Sequence, residues 1–139
     1  MKPNAILTIL TLSLSPTGTL AACGKVTNNS GREMRYTTNP NANLSARPGR
    51  CRFWNWYDGD GPLSLIPRDK TVSCDQVRLA SGSSAGNCPV DVDGFTFAND
   101  AYWIGARRVG AGVWTKFPDI VDVTCRRVPV TGSILCTLI

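Results

Sequence analysis

Apolar and polar residues alternate over short stretches of this chain, and turn-forming residues interrupt each stretch. No long segment repeats apolar residues at the three- and four-residue spacing of an amphipathic helix. The pattern predicts strands at residues 34–38, 52–57, 71–79, 102–108, 113–117, 120–128 and 133–139. The sequence therefore predicts an all-β fold, a small disulfide-stabilised β-barrel or β-sandwich.

Turn residues divide these strands. The clearest predicted hairpin is residues 90–97, in which Asp93-Gly94 forms a tight turn between two β-forming flanks. The Ser- and Gly-rich residues 81–86 are expected to form a flexible loop. Residues 28–50 are rich in Asn, Gly, Pro and Thr, and they are expected to form a largely irregular arm around the strand at 34–38.

The first 22 residues have the features of a secretory signal peptide. Lys2 precedes an apolar stretch that is too short to span a bilayer, and small residues follow it at Ala21 and Ala22. The sequence therefore predicts a signal peptide at 1–22 and a single domain at 23–139, secreted and free of the membrane. Residues 20–23 also resemble a bacterial lipobox, in which Cys23 would be acylated, but this would leave an odd number of thiols.

Six cysteines remain in the predicted mature domain, and they are expected to form three disulfide bonds: Cys23, Cys51, Cys74, Cys88, Cys125 and Cys136. Fifteen pairings are open to six cysteines, of which a Cys74–Cys88 bond across the 81–86 loop is weakly favoured. The chain has no histidine and no C-x-x-C pair, so a zinc site is not expected. No other metal and no cofactor is predicted.

The chain is mildly basic, with a formal net charge of +5. Its arginines are dispersed along the sequence, which is typical of a solvated surface and predicts no nucleic-acid partner.

The aromatic run at residues 53–57 is the most distinctive local feature. Strand alternation places Phe53, Asn55 and Tyr57 on one face and Trp54 and Trp56 on the other. Trp54 and Trp56, with the neighbouring Arg52, are the candidate binding residues, either as a platform for sugar rings or as an anchor for a protein. The alternative is that they belong to the core. Trp103 and Trp114 are expected to be core or hairpin-packing residues.

Two N-glycosylation patterns lie in the predicted arm, at Asn28 and Asn43. In a eukaryotic host both are candidate glycosylation sites, and chance occurrence in an Asn-rich segment is the alternative.

The sequence contains few candidate catalytic residues. Without histidine, neither a Ser-His-Asp nor a Cys-His mechanism can be assembled. A paired-carboxylate hydrolase is the remaining enzymatic alternative. Its candidate acids, however, lie in turn-like sequence, where local hydrogen bonding already explains aspartate: Asp58, Asp60, Asp91 and Asp93.

The leader, the six cysteines and the lack of enzyme motifs resemble, in architecture, the small secreted cysteine-rich proteins of filamentous fungi. The resemblance implies a non-enzymatic interaction protein that acts as an effector or elicitor of host defence by binding a surface partner. The expected partner is an extracellular protein or a cell-wall glycan, and exposed strand edges suggest a homodimer. A carbohydrate-binding module is the alternative function.

Overall fold

The computed structural model describes residues 22–38, 49–56 and 70–139, and the side chains of residues 49, 54–56, 70 and 72 lie outside this description. The described strands are β1 (Lys25–Asn29), β2 (Met34–Thr37), β3 (Gly49–Trp56), β4 (Lys70–Cys74), β5 (Val77–Leu79), β6 (Ser83–Gly86), β7 (Gly94–Thr96), β8 (Tyr102–Ile104), β9 (Arg107–Val109), β10 (Trp114–Lys116), β11 (Asp122–Arg127) and β12 (Ile134–Leu138). The described residues contain no helix able to cross a membrane.

The strands form two six-stranded sheets. Sheet A has the order β6-β1-β11-β12-β8-β9, and sheet B has the order β4-β3-β10-β7-β2-β5. β1 lies parallel to β11 and antiparallel to β6, so a strand from the start of the domain is enclosed between later ones. The predicted all-β, disulfide-stabilised fold is confirmed.

Sheet B curls until its two edges meet. β4 and β5 occupy opposite edges, yet only Asp75 and Gln76 separate Cys74 from Val77. Three residue steps span at most about 11 Å, whereas a flat six-stranded sheet would hold its edges about 24 Å apart. β4 and β5 are therefore two halves of one bent strand, and sheet B closes into a small barrel. The predicted strand at 71–79 is this bent strand.

The described residues form two apolar clusters, of which the main core joins the two sheets. In the main core, the Tyr102 ring lies 5.3 Å from that of Phe95 and 5.4 Å from that of Phe97. The Tyr102 hydroxyl reaches the Val113 carbonyl at 2.7 Å, so the polar end of the ring has a partner inside the core. A smaller cluster, belonging to sheet B, consists of Cys51, Phe53, Cys74 and Trp114. The core role predicted for Trp114 is confirmed, because this side chain is 2% exposed.

All six cysteines are paired, as predicted, but the favoured pair is wrong. The bonds are Cys23–Cys88, Cys51–Cys74 and Cys125–Cys136. Cys74 cannot reach Cys88 because it ends the strand that pairs with the start of β3, which places it beside Cys51. The lipobox alternative for Cys23 is also not compatible with this fold, since the Cys23 sulfur is bonded to Cys88.

The predicted hairpin at residues 90–97 is wrong. Gly94 begins β7 instead of closing a turn, and residues 90–92 are not a strand. The backbone of Asp93 donates to the Thr37 carbonyl and accepts from the amide of Phe117, both distant in sequence. Long-range pairing has therefore taken the hydrogen bonds that a local turn would have made.

The predicted irregular arm is shorter than the range 28–50. Its beginning, Asn28 and Asn29, completes β1, and its end forms the start of β3. The strand within it is confirmed as β2, whereas residues 39–48 lie outside the described residues. The expected flexible loop at 81–86 is mostly strand, because β6 pairs with β1 from Ser83 to Gly86.

Candidate functional site

Five side chains form a straight row on the solvent side of sheet A. Strand pairing aligns them on neighbouring strands in the order Asn29, Arg126, Leu135, Trp103 and Arg108. We call this set the outer row. The flanking positions Cys125, Cys136 and Ile104 are buried on the opposite face. Sheet alternation therefore turns the outer row towards solvent.

A groove runs beside the outer row. Its volume is about 260 Å³, and it is lined by Trp103, Gly105, Val128, Thr131, Ser133 and Leu135. The turn between β11 and β12 forms one wall, and Trp103 and Leu135 contribute the apolar surface. Trp103, predicted as a core or hairpin-packing residue, is only partly buried, because its neighbours Tyr102 and Ile104 take the core positions of β8. It lies in the antiparallel pair of β8 and β9.

Two arginines frame the apolar centre of the outer row. Arg108 stands directly opposite Trp103, and Arg126 stands opposite Leu135. Both are exposed, and within the described part of the chain neither forms a hydrogen bond or an ion pair. Arg127, by contrast, donates to the carbonyls of Ser30 and Gly132 at 3.0 and 3.2 Å. Arg108 and Arg126 are thus available to a partner, whereas Arg127 is structural.

A second cavity lies at an open end of the sheet B barrel. Its volume is about 230 Å³, and its lining comes from β2, β3, β7, β10 and the bend between β4 and β5: Arg35, Arg50, Gln76, Thr96, Ala98, Gly112 and Trp114. We call it the mouth pocket. Its lining is more polar than that of the groove, and it includes two guanidinium groups.

Three aspartates converge elsewhere on the surface. Carboxylate oxygens of Asp91, Asp93 and Asp119 lie within 4.8 Å of one another. Asp91 also accepts a hydrogen bond from the Gly24 amide at 2.8 Å. The set could share a proton or offer oxygen ligands to a hard cation. Neither the groove nor the mouth pocket is lined by these residues.

The surroundings of these carboxyl groups shift their pKa values upwards. Burial, followed by repulsion from Asp91, raises the pKa of Asp93 to about 6. Burial also raises the pKa of Asp119, with further contributions from the charge of Asp91 and a hydrogen bond to it. Asp75 behaves in the opposite way. Burial alone would raise its pKa, but hydrogen bonds from the Thr38 hydroxyl, the Thr37 hydroxyl and the Thr38 amide hold it below the usual range.

The cluster predicts a pH-dependent stability. Because the folded-state pKa of Asp93 exceeds the unfolded value of 3.8, its contribution to stability is greatest below pH 3.8 and is lost as the pH rises towards 6. We expect Asp93→Asn to raise the free energy of unfolding at pH 7.5 by about 1 kcal/mol, after discounting the shift for solvent screening. The gain should vanish at about pH 3.5. Urea unfolding at both pH values measures this change in the free energy of unfolding.

The matched control is Asp122→Asn, an exposed aspartate on β11 outside the cluster. A stabilisation by Asp93→Asn that is equal at both pH values would contradict the electrostatic origin.

The predicted binding residues Arg52, Trp54 and Trp56 all lie in β3. Arg52 is exposed and Phe53 is buried, which agrees with the predicted alternation. The side chains of Trp54 and Trp56 lie outside the description, so their platform stays a prediction. The structure places no part of β3 next to the outer row, because β3 belongs to sheet B.

The predicted sugar at Asn28 is wrong for the folded protein. The Asn28 side chain is 0% exposed, and its amide nitrogen donates to the carbonyls of Arg32 and Leu79 at 2.7 and 2.9 Å. That nitrogen is the atom to which a glycan would be attached. Asn43 lies outside the described residues, so its glycosylation remains a prediction.

Sequence reasoning missed Trp103, Arg108, Arg126 and the mouth pocket. Alternation within β8 could have found Trp103, since Tyr102 and Ile104 are the apolar neighbours on either side of it. Its alignment with Arg108 and Arg126 depends on strand pairing, which local periodicity does not contain.

No family model matches the chain, and neither the curated proteins nor the solved structures include one with significant similarity to it.

Proposed function

We propose that this chain is a secreted, non-enzymatic interaction protein that acts at a host surface as an effector or elicitor of defence. The outer row carries the proposal. It places the partly exposed Trp103 and Leu135 side by side next to a groove, with Arg108 beyond Trp103 and Arg126 beyond Leu135. Tryptophan and arginine are the residue types that most often dominate the energy of protein interfaces.

The disulfides support an extracellular role. Three bonds consume all six thiols, which suits a protein that folds and persists in an oxidising compartment. The leader at residues 1–22 would direct the chain there. Binding rather than turnover is favoured because the sequence lacks histidine, and because the aspartate cluster lines neither the groove nor the mouth pocket.

A carbohydrate-binding role is the second candidate, and the structure favours Trp103 for it. Trp103 is partly exposed on the solvent side of sheet A, where a sugar ring could stack on it. A row of hydroxyl side chains runs parallel to the outer row on the same face: Ser84, Thr27, Thr124 and Thr137. The glycan would thus meet both an aromatic surface and hydrogen-bonding groups.

A homodimer is also proposed, but the charges on the edge strands of sheet A restrict where two copies could pair. β9 is an edge strand of sheet A, but Arg107 and Arg108 are both exposed on it. Like charges on an edge discourage pairing with a second copy. The opposite edge, β6, carries Ser83 and Ser84 and no charge, so it is the edge at which we expect any pairing.

The function is tested by applying the purified, disulfide-bonded protein to plant leaf tissue and measuring surface binding and the oxidative burst. We expect both, with Trp103→Ala raising the half-maximal concentration at least about tenfold, as for a central interface tryptophan. Val130→Ala is the control, because Val130 is 94% exposed and lies outside the groove. Circular dichroism establishes that each variant is folded.

Equal potency of Trp103→Ala and the parent protein would contradict the assignment to the outer row. If the parent protein neither bound to the tissue nor caused a response, the proposed function would be contradicted. Retention on insoluble cell-wall polysaccharide, lost in Trp103→Ala, would favour the carbohydrate-binding candidate. Retention lost only in a Trp54→Ala/Trp56→Ala variant would place the sugar site on β3.

A further inference from the structure

The mouth pocket is distinct from the outer row, since it belongs to sheet B and its lining comes from four strands and the bend at Asp75 and Gln76. Mouths of β-barrels are common ligand sites because loops and strand ends converge there around a ready-made cavity. At about 230 Å³, this one has room for a small molecule or one functional group of a larger one.

One guanidinium is held in place at the pocket. The Arg35 Nη1 donates to Gln76 Oε1 at 3.3 Å, and Gln76 Nε2 in turn donates to the Arg50 carbonyl at 2.9 Å. Gln76 is thereby anchored to the backbone of β3 while it orients Arg35 on β2. A side chain that is already ordered loses less entropy when it binds a ligand.

The positive charge at the pocket is incompletely balanced. Glu33 Oε1 lies 3.9 Å from Arg35 Nε and 3.7 Å from Arg78 Nε, so one carboxylate is shared between two arginines. The Arg35 Nε is buried and donates no hydrogen bond. Arg50, also in the lining, forms no side-chain ion pair within the described residues.

We infer that the mouth pocket binds a small oxyanion, in the form of a carboxylate, phosphate or sulfate group. Arg35 and Arg50 supply the charge, with Gln76 holding Arg35 in position. Guanidinium groups bind such oxyanions with paired, charge-assisted hydrogen bonds. Trp114 and Thr96 complete the lining, and both residues are 2% exposed. This site stands apart from the proposed function, which depends on the outer row.

The test is a titration of the isotopically labelled protein with acetate, glucuronate, inorganic phosphate or sulfate, each against sodium chloride of equal ionic strength. We expect saturable shifts of the Arg35 Nε–H and Trp114 indole N–H resonances with at least one oxyanion. Comparison of acetate with glucuronate shows whether a sugar ring adds affinity, and comparison with phosphate and sulfate identifies the preferred head group.

Three variants locate the site. Arg50→Gln should weaken binding about tenfold, the loss expected for one charge-assisted hydrogen bond. Glu33→Gln should strengthen binding about threefold, because it removes the carboxylate that competes for Arg35. Arg78→Gln is the matched control: it also contacts Glu33 but does not line the pocket, so it should change affinity less than twofold.

Glu33 and Arg50 are partly or fully exposed, and a gain in affinity from Glu33→Gln cannot result from misfolding. Shifts no larger than those in chloride for every oxyanion would overturn the inference. So would equal losses in Arg50→Gln and Arg78→Gln, which would indicate a general charge effect. Trp103→Ala should leave the titration unchanged, and this separates the site from the outer row.

Discussion

Replacing Cys23 and Cys88 together by alanine is expected to lower the free energy of unfolding by about 4 kcal/mol. This bond spans 65 residues, against 23 for Cys51–Cys74 and 11 for Cys125–Cys136. The longer the closed loop, the more the bond reduces the entropy of the unfolded chain. Cys23 and Cys88 are also less buried than the other four cysteines, so the substitution leaves little cavity.

Urea unfolding of the oxidised proteins measures this loss. A double alanine variant of Cys125 and Cys136 is the comparison, because its short loop should contribute only about 3 kcal/mol by entropy, with a further cost from the emptied core. Peptide mapping without reduction should recover Cys23 linked to Cys88. A loss below about 1 kcal/mol, or a Cys74–Cys88 peptide, would contradict the pairing.

Asn28→Ala is expected to lower the free energy of unfolding by about 3 kcal/mol. The Asn28 side chain joins the two sheets, since β1 belongs to sheet A and the Leu79 carbonyl that it bonds belongs to β5 of sheet B. Its Oδ1 also accepts from the Ser30 amide at 3.1 Å and the Ser30 hydroxyl at 2.6 Å. Alanine would remove all of these hydrogen bonds from a buried site, which is costlier than the loss of an exposed hydrogen bond.

The matched control is Asn29→Ala, the next residue on β1, which is exposed and should change stability by less than about 0.5 kcal/mol. Chemical unfolding of both variants, with the disulfides intact, measures the difference. If Asn28→Ala and Asn29→Ala were equally stable, the Asn28 side chain would not connect the sheets as described.

Strand positions were predictable wherever local pattern and tertiary pairing agree. The alternating residues near 120–128 and 133–139 became β11 and β12, which pair with each other across a short turn. Asp93-Gly94 shows where prediction from the local pattern fails. Its residues suit a tight turn, but the Asp93 backbone is paired with residues from distant parts of the chain. A local propensity is worth little when long-range hydrogen bonds compete with it.

The candidate sites also differ in how far the local sequence could predict them. The aromatic run at 53–57 is conspicuous because its residues are adjacent, but adjacency does not decide which side chains reach solvent. The outer row joins residues as distant as Asn29 and Arg126 through the parallel pairing of β1 with β11. The mouth pocket exists because Gln76, at the bend between β4 and β5, contacts both Arg35 on β2 and the Arg50 carbonyl on β3. No local pattern could have placed these residues together.

By itself, the sequence determined the all-β class and the use of its six cysteines as disulfides, because period-two alternation and cysteine number are local or compositional properties. Only the tertiary structure decided the pairing of the cysteines, the burial of Asn28 and the alignment of Trp103 with Arg108 and Arg126. These depend on which strands become neighbours. That choice is made by the packing of the whole core, to which every strand contributes at once.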